Sequence, residues 1–428
     1  MKVLHLISNA HIDPIWQWPE EEGISAVIST FRSAIQLLKE YEYIFCHNEA
    51  LAYEYVERHD PALFSEIQKA VAAGKWRIMG GWFLQPDCNM PSGESIIRQI
   101  QRGKHYFEKK FGKWSTVAFN ADPFGHSRGM VQILRKCGQN GYLFMRPYGL
   151  WQGENQELEL PAETFLWEGY DGSTVFAARM AGYNSALGHA VEKIAGDAAL
   201  QAEREVGFSC WGVGNHGGGP SRKDLSDIEH YIKVQADRGV TVKHSFPEHY
   251  FEEIKPTQRF DSSLHISMPG CYTSMSRVKH LHAELETVLY GTEKLWSILT
   301  LSGLGEWPEE KFAEAERDLL QTEFHDILPG SCVASGERDA LAMLNHGLHI
   351  LKELRTDALF LLYRAFPYPG SEQYPIAVYN PHPYEWTTNV EGEFSLADQN
   401  WDDQAVSHVT LVDESGNELT AQTIKEEG

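Results

Sequence analysis

Up to about residue 265 the chain alternates short apolar runs with stretches of helical spacing, and this limits the folds open to it. Val3 to Ile7 reads as a buried strand. Pro19 followed by Glu20, Glu21 and Glu22 marks a helix start: proline has no amide to leave unpaired there, and carboxylates favour the positive end of the helix dipole. Ile24, Val27, Ile28, Phe31, Ile35 and Leu38 then recur at helical intervals. Tyr43 to Cys46, Trp76 to Met79, Thr116 to Phe119 and Tyr142 to Met145 read as further strands. Helices fall between them over Pro61 to Ala73 and from Ser92 to about Lys110. Weaker strands follow at Thr164 to Trp167, Thr174 to Ala178 and Phe208 to Val213. Repeated strand–helix units place strands parallel with right-handed crossovers. An open doubly wound sheet and a closed barrel both satisfy the spacing, so the residues predict α/β without choosing between them.

The pattern then changes. Leu281 to Leu301, Lys311 to Glu323 and Gly336 to Leu362 are long and mostly helical, and short links between them predict a three-helix bundle. Phe366-Pro367-Tyr368-Pro369-Gly370 breaks the chain again. Ile376 to Tyr379 and Val406 to Val412 read as strands beyond it. The expected division is residues 1–264, 265–365 and 366–428, the last too short for an independent β-domain. A chain that stops inside a larger protein is the expectation.

Composition excludes some partners. Lys and Arg total 37 against 60 Asp and Glu, a net charge of −23. Such a surface repels phosphate backbones and anionic membranes, so no nucleic acid and no membrane is expected. No run approaches the roughly 20 apolar residues that span a bilayer. The first residues turn polar too soon for a secretory signal. Cys46, Cys88, Cys137, Cys210, Cys271 and Cys332 are widely spaced and form no C-x-x-C pair. They suit reduced thiols, predicting a cytoplasmic protein. The 12 Trp and 18 Tyr fit a surface on which sugar C–H faces stack.

Four segments carry polar residues where strands or helices end. His11-Ile12-Asp13-Pro14-Ile15-Trp16 follows the first strand. In extended chain residues i and i+2 point the same way, so His11 and Asp13 can offer a nitrogen and an oxygen to one Zn²⁺ or a harder divalent ion. A capping Asp13 beside a surface His11 is the plainer reading. Asn120-Ala121-Asp122-Pro123-Phe124-Gly125-His126-Ser127 follows the fourth strand and fits a simple turn equally well. Phe324-His325-Asp326-Ile327-Leu328-Pro329-Gly330-Ser331 fits a helix stop. Gly212-Val213-Gly214-Asn215-His216-Gly217-Gly218-Gly219-Pro220-Ser221 lacks the Lys of a phosphate loop and lies too late for a nicotinamide fingerprint. It reads as a loop whose backbone approaches something closely.

Taken together and in this order, the four segments resemble family 38 glycoside hydrolases, the class II α-mannosidases. Pro269-Gly270-Cys271-Tyr272-Thr273-Ser274 is also similar to the family's segment at that point. The resemblance covers nearly the whole chain. It implies a seven-stranded β/α barrel, a three-helix bundle and the start of a β-rich domain. It implies a retaining hydrolase that cleaves terminal α-mannosides through a covalent glycosyl-Asp intermediate. The metal ligands by match are His11, Asp13, Asp122 and His325, holding one Zn²⁺ or another divalent ion. Asp122 matches the nucleophile, Trp16 and Phe124 aromatic walls, Arg146 the arginine that holds the nucleophile, and Asp326 a hydroxyl-binding carboxylate. The departure concerns the acid. Many members carry Asp in the glycine-rich loop, where this chain has Asn215 and His216. His216, when protonated, is the candidate acid. The expected partner is a mannoside or mannose-containing oligosaccharide, with a homo-oligomer left open. Two other readings remain. One is an inactive or truncated relative that only binds sugar. The other is a metal-dependent polysaccharide deacetylase, for which the expected H-x-x-x-H pair is absent.

Overall fold

The structure, a computed structural model, describes residues 1–147, 159–264, 267–367, 370, 373–394 and 409–424. The chain divides into two compact units, Met1–Leu361 and Leu362–Gly428. In the larger unit β1 (Val3–Asn9) leads through α1 (Glu20–Leu37) to β2 (Phe45–Glu49). Helices α2 (Ala50–His59) and α3 (Pro61–Ala72) lead to β3 (Trp76–Trp82), and α4 (Gly93–Phe111) to β4 (Val117–Asn120). Next come α5 (Met130–Lys136), β5 (Gly141–Phe144), β6 (Thr164–Glu168), β7 (Thr174–Arg179), α6 (Ala190–Leu200) and β8 (Val206–Trp211). The segment ends with α7 (Arg222–Asp237), β9 (Thr241–His244), α8 (Pro247–Glu253) and β10 (Arg259–Phe260).

Local chemistry sets these elements. The Ser92 side chain accepts from Ser95 N at the start of α4, and Gly112 ends that helix in the left-handed conformation at φ 62. Ile96, Ile100 and Phe107 lie on its buried face. Burying each such side chain contributes roughly 1.5–3 kcal/mol.

The strands form two five-stranded sheets, β3-β2-β1-β8 with β9 also on β1, and β10-β6-β7-β5-β4. The single closed ring of seven strands that the family resemblance implies is not what the hydrogen bonding shows. Among the described residues no ladder joins β3 to β4. Gly80 and Gly81 adopt left-handed φ values of 71 and 78, which turns their amides out of the strand. Side chains take acceptors along this seam: Gln139 donates to Gly80 O at 2.7 Å and Asn48 to Phe119 O at 3.2 Å. Nor are all strands parallel, since β6 and β7 pair antiparallel. An apolar core of Ile7, Cys46, Met79, Phe119, Leu143, Ala178 and Phe208 nonetheless draws on strands of both sheets.

Three helices follow, α9 (Ser276–Leu301), α10 (Glu309–Thr322) and α11 (Ala334–Arg364). Arg98 on α4 clamps two of them: it forms paired 2.7 Å bonds with Glu293 on α9 and a 2.8 Å bond with Glu316 on α10. Trp296 Nε1 donates to Leu354 O and ties α9 to α11. In the smaller unit β11 (Leu411–Val412) pairs antiparallel with β12 (Glu418–Leu419). The strand expected at Ile376 to Tyr379 is absent; among the described residues no partner strand supplies it with hydrogen bonds. Of the strand expected at Val406 to Val412, residues 406–408 lie outside the described residues, and Leu411 and Val412 are paired. Among the described residues no helix is long and apolar enough to cross a membrane.

Candidate active site

Three of the four polar segments gather because each leaves the C-terminal end of a strand, where loops of parallel sheets collect. His11 and Asp13 follow β1, Glu49 ends β2, Gln85 follows β3 and Asp122 follows β4. Arg146 follows β5, Tyr183 follows β7, and Asn215 and His216 follow β8. The His11–Trp16 segment is fixed on both sides. Asp13 N donates to Asn215 O at 2.9 Å, and Trp18 Nε1 donates to Asp13 O at 2.9 Å. Gly23 of α1 packs so tightly on this segment that a Cβ there would lie 2.1 Å from Pro14 O.

His325 arrives from the bundle. The segment beyond α10 pairs with the one beyond β3: Asp87 N donates to Glu323 O at 2.8 Å, and His325 N donates to Gln85 O at 3.3 Å. His325 Nδ1 also lies 3.0 Å from Gln85 O. A carbonyl can only accept, so Nδ1 carries a proton and Nε2 is the ring atom that an ion could take.

His325 Nε2 faces a group of donors. His11, Asp13 and His325 each present one atom within 4.8 Å of the others. His11 Nε2 lies 2.8 Å from Asp13 Oδ1, and His325 Nε2 lies 3.6 Å from it. Asp122 Oδ2 is 3.9 Å and Asp326 Oδ2 3.8 Å from His325 Nε2. His11 Nε2, Asp13 Oδ1 and His325 Nε2 are buried, yet their angles satisfy no hydrogen bond. Buried polar atoms normally find partners, so three that face one another without one mark a place built for a cation. Two imidazoles and two carboxylates at these separations fit a single divalent ion.

Charge supports this. Burial pushes His325 down, but Asp13, Asp326 and Asp122 together outweigh it and hold the ring up at about 9. Burial opposes a charged His11 too, and Asp13 prevails, raising it. Burial works against the Asp13 carboxylate, yet His11 and His325 hold it below the usual range. Burial pushes Asp326 up to about 7, with Asp13 and Asp122 adding to the rise against the pull of His325. A cation at the centre would take the place of the protons that these carboxylates hold on the two rings.

Around the centre, Arg146 Nε donates to Asp122 Oδ1 at 2.7 Å and lies over the buried Phe124 ring. Ser331 Oγ donates to Asp326 Oδ1 at 2.5 Å. Trp16 is half-buried, with its ring edge-on to Trp18 at 5.6 Å. The glycine-rich loop is strained at Asn215, which takes a left-handed φ of 71. Tyr183 O–H lies 2.5 Å from Asn215 Oδ1 and 3.4 Å from Asp122 Oδ2. Thus Asn215, rather than His216, is linked to the candidate nucleophile. The exposed His216 side chain instead meets Glu22 at 2.7 Å and the edge of Trp18 at 4.3 Å.

The structure brings together His11, Asp13, Asp122, Arg146, His325 and Asp326, and sets His216 at the rim against Glu22. The sequence reading missed Tyr183, Gln85 and Glu49. Each leaves a strand's C-terminal end, the one signal that could have found them.

Residues 1–268 match the model for the glycosyl hydrolases family 38 N-terminal domain, and residues 268–362 that for the alpha mannosidase middle domain. The human protein alpha-mannosidase 2C1 is 29% identical over 348 residues, covering 79% of this chain and 33% of the relative. Alpha-mannosidase G of Dictyostelium discoideum is 28% identical over 365 residues, covering 82% and 33%. The chain therefore spans about a third of the length of these curated relatives. The crystal structure of an alpha-mannosidase from Enterococcus faecalis V583 superposes with a TM-score of 0.71 at 19% identity, covering 86% of this chain and 44% of that one. The order of the segments, the site they build and the match over the first 268 residues lead to one conclusion: the chain belongs to glycosyl hydrolase family 38.

Proposed function

We propose that this chain is the catalytic portion of a metal-dependent retaining glycosidase that removes terminal α-mannosyl residues. The observation that carries the reading is the convergence of three buried, unbonded donor atoms beside an arginine-held carboxylate. His11, Asp13, Asp122 and His325 would hold the ion, and two nitrogens with two carboxylates suit Zn²⁺. An ion held there would supply Lewis acidity toward neighbouring hydroxyls of the sugar. Asp122 attacks the anomeric carbon and becomes the glycosyl ester, and water later releases the sugar with retention. Arg146 fixes the Asp122 carboxylate during that attack, and Asp326 accepts a sugar hydroxyl. Trp16 and Phe124 bound the sugar subsite. His216, steadied by Glu22, donates the proton to the leaving oxygen.

The substrate is a mannoside or a mannose-containing oligosaccharide. Residues 1–264 form the catalytic domain with a barrel-like core, 265–365 the bundle, and 366–428 the start of a β-rich domain. Six free cysteines support a reducing, cytoplasmic setting.

The test is hydrolysis of an aryl α-mannoside after chelation, with and without added Zn²⁺, and with Asp122→Asn as control. An activated leaving group needs little acid assistance, so turnover shows whichever group is the acid. Zinc-restored hydrolysis that the variant lacks supports metal, nucleophile and class together. Bound zinc without hydrolysis favours the sugar-binding reading, for which Asn215 in place of an acid is the supporting observation.

A further inference from the structure

We infer that Gln85 is the positioning residue of this centre: its buried side chain holds the loop that carries Asp122, and its own carbonyl sets the His325 ring. The inference rests on the metal-centre reading above. Gln85 is fully buried. Its amide nitrogen donates to Glu49 Oε1 at 2.5 Å and stands 3.1 Å from His11 Nδ1. Its side-chain oxygen accepts from Ala121 N at 2.8 Å, one residue before Asp122. Its backbone carbonyl receives the His325 amide at 3.3 Å and His325 Nδ1 at 3.0 Å.

Four separate pieces of chain therefore meet on one residue. They are the end of β2, the segment after β1, the end of β4 and the segment beyond α10. The orientation of the amide is dictated. Ala121 N–H requires an acceptor, and the Glu49 carboxylate requires a donor, so a flipped amide would fail at both. Groups that orient ligands from behind are worth about ten- to a hundredfold in metal affinity.

The experiment compares Zn²⁺ affinity, by competition with a chromogenic chelator, in the full chain and in Gln85→Ala, Gln85→Glu and Gln139→Ala. Gln139 is an equally buried glutamine that donates to Gly80 O at the seam and touches no ligand. Amide exchange at Ala121 is followed in parallel and needs no metal. Gln85→Ala should weaken Zn²⁺ at least about tenfold and expose the Ala121 amide. Gln85→Glu keeps the acceptor for Ala121 N–H but sets a carboxylate against Glu49 in place of the amide donor, so it should protect the Ala121 amide and still fall below the parent in affinity. Gln139→Ala should lose stability with unchanged affinity. Affinity in Gln85→Ala within twofold of the parent overturns the inference, as does equal weakening in Gln139→Ala. If the parent binds no zinc, the metal reading fails, and Ala121 exchange decides alone: unchanged protection in Gln85→Ala overturns the inference.

Discussion

Asp122 has its two oxygens assigned to different work, and that division predicts how variants behave. Oδ1 is taken by Arg146, while Oδ2 faces His325 and Tyr183. Asp122→Asn keeps the shape and an acceptor for Arg146 but loses the charge a nucleophile needs. We expect it to fold and to lose about a thousandfold or more in kcat on an aryl α-mannoside. Turnover within tenfold of the parent would remove Asp122 from the mechanism. Asn215 makes the complementary case. Its Oδ1 already accepts from Tyr183, a bond that a carboxylate would keep. Asn215→Asp should speed hydrolysis of an unactivated mannoside by about tenfold or more while leaving the aryl substrate nearly unchanged. Equal rates for parent and variant on both substrates would leave the proton with His216 alone.

Among the elements, β1, β3 and β4 and the helices α3 and α4 were legible because apolar spacing and capping residues agree there. The antiparallel β6–β7 pair was legible as strands but not in direction, since periodicity carries no sign. Helix α2 was missed: Ala50 to Val56 has six buried residues and almost no polar face to give a period. The four motif segments were readable as local chemistry, but their convergence was not. It depends on backbone pairing between the segments after β3 and α10, which lie 240 residues apart at Gln85 and His325. Close packing between elements gives its own prediction. Gly103 of α4 sits on β3 so closely that a Cβ would lie 2.2 Å from Trp82 C and 2.5 Å from Gly81 O. Alanine is the better helix former by up to about 1 kcal/mol, but backbone atoms cannot yield to it. Gly103→Ala should therefore destabilise by about 1–3 kcal/mol or more, read as a lower denaturant midpoint. A variant as stable as the parent would mean that α4 can lift from the sheet.

The whole molecule should be sensitive to acid. Burial holds His47 and His126 down at about 3 in the folded chain, against 6.5 when exposed. Below pH 6.5 the unfolded chain takes up protons that these two sites refuse. Stability is therefore complete above that value and falls as the pH drops towards 3, by about 1.4 kcal/mol per unit for each ring. His47 packs edge-on to Phe31 at 4.8 Å, and neither of its nitrogens finds a partner. His47→Phe should thus fold well and flatten the loss of stability between pH 7 and pH 5 by roughly one proton's worth. An unaltered pH profile would place the titrating group elsewhere. Acid is one challenge to the folded state; synthesis of the chain is another. His11 and Asp13 leave the ribosome well before His325, which follows only after both sheets and two bundle helices have been made. On the proposed metal reading, the early pair alone would be an open jaw, offering an ion two protein ligands and ready exchange with solvent. The bundle would then act as the latch of a clasp whose other half was made earlier, so secure retention of the ion would report that sheet and bundle have closed on each other.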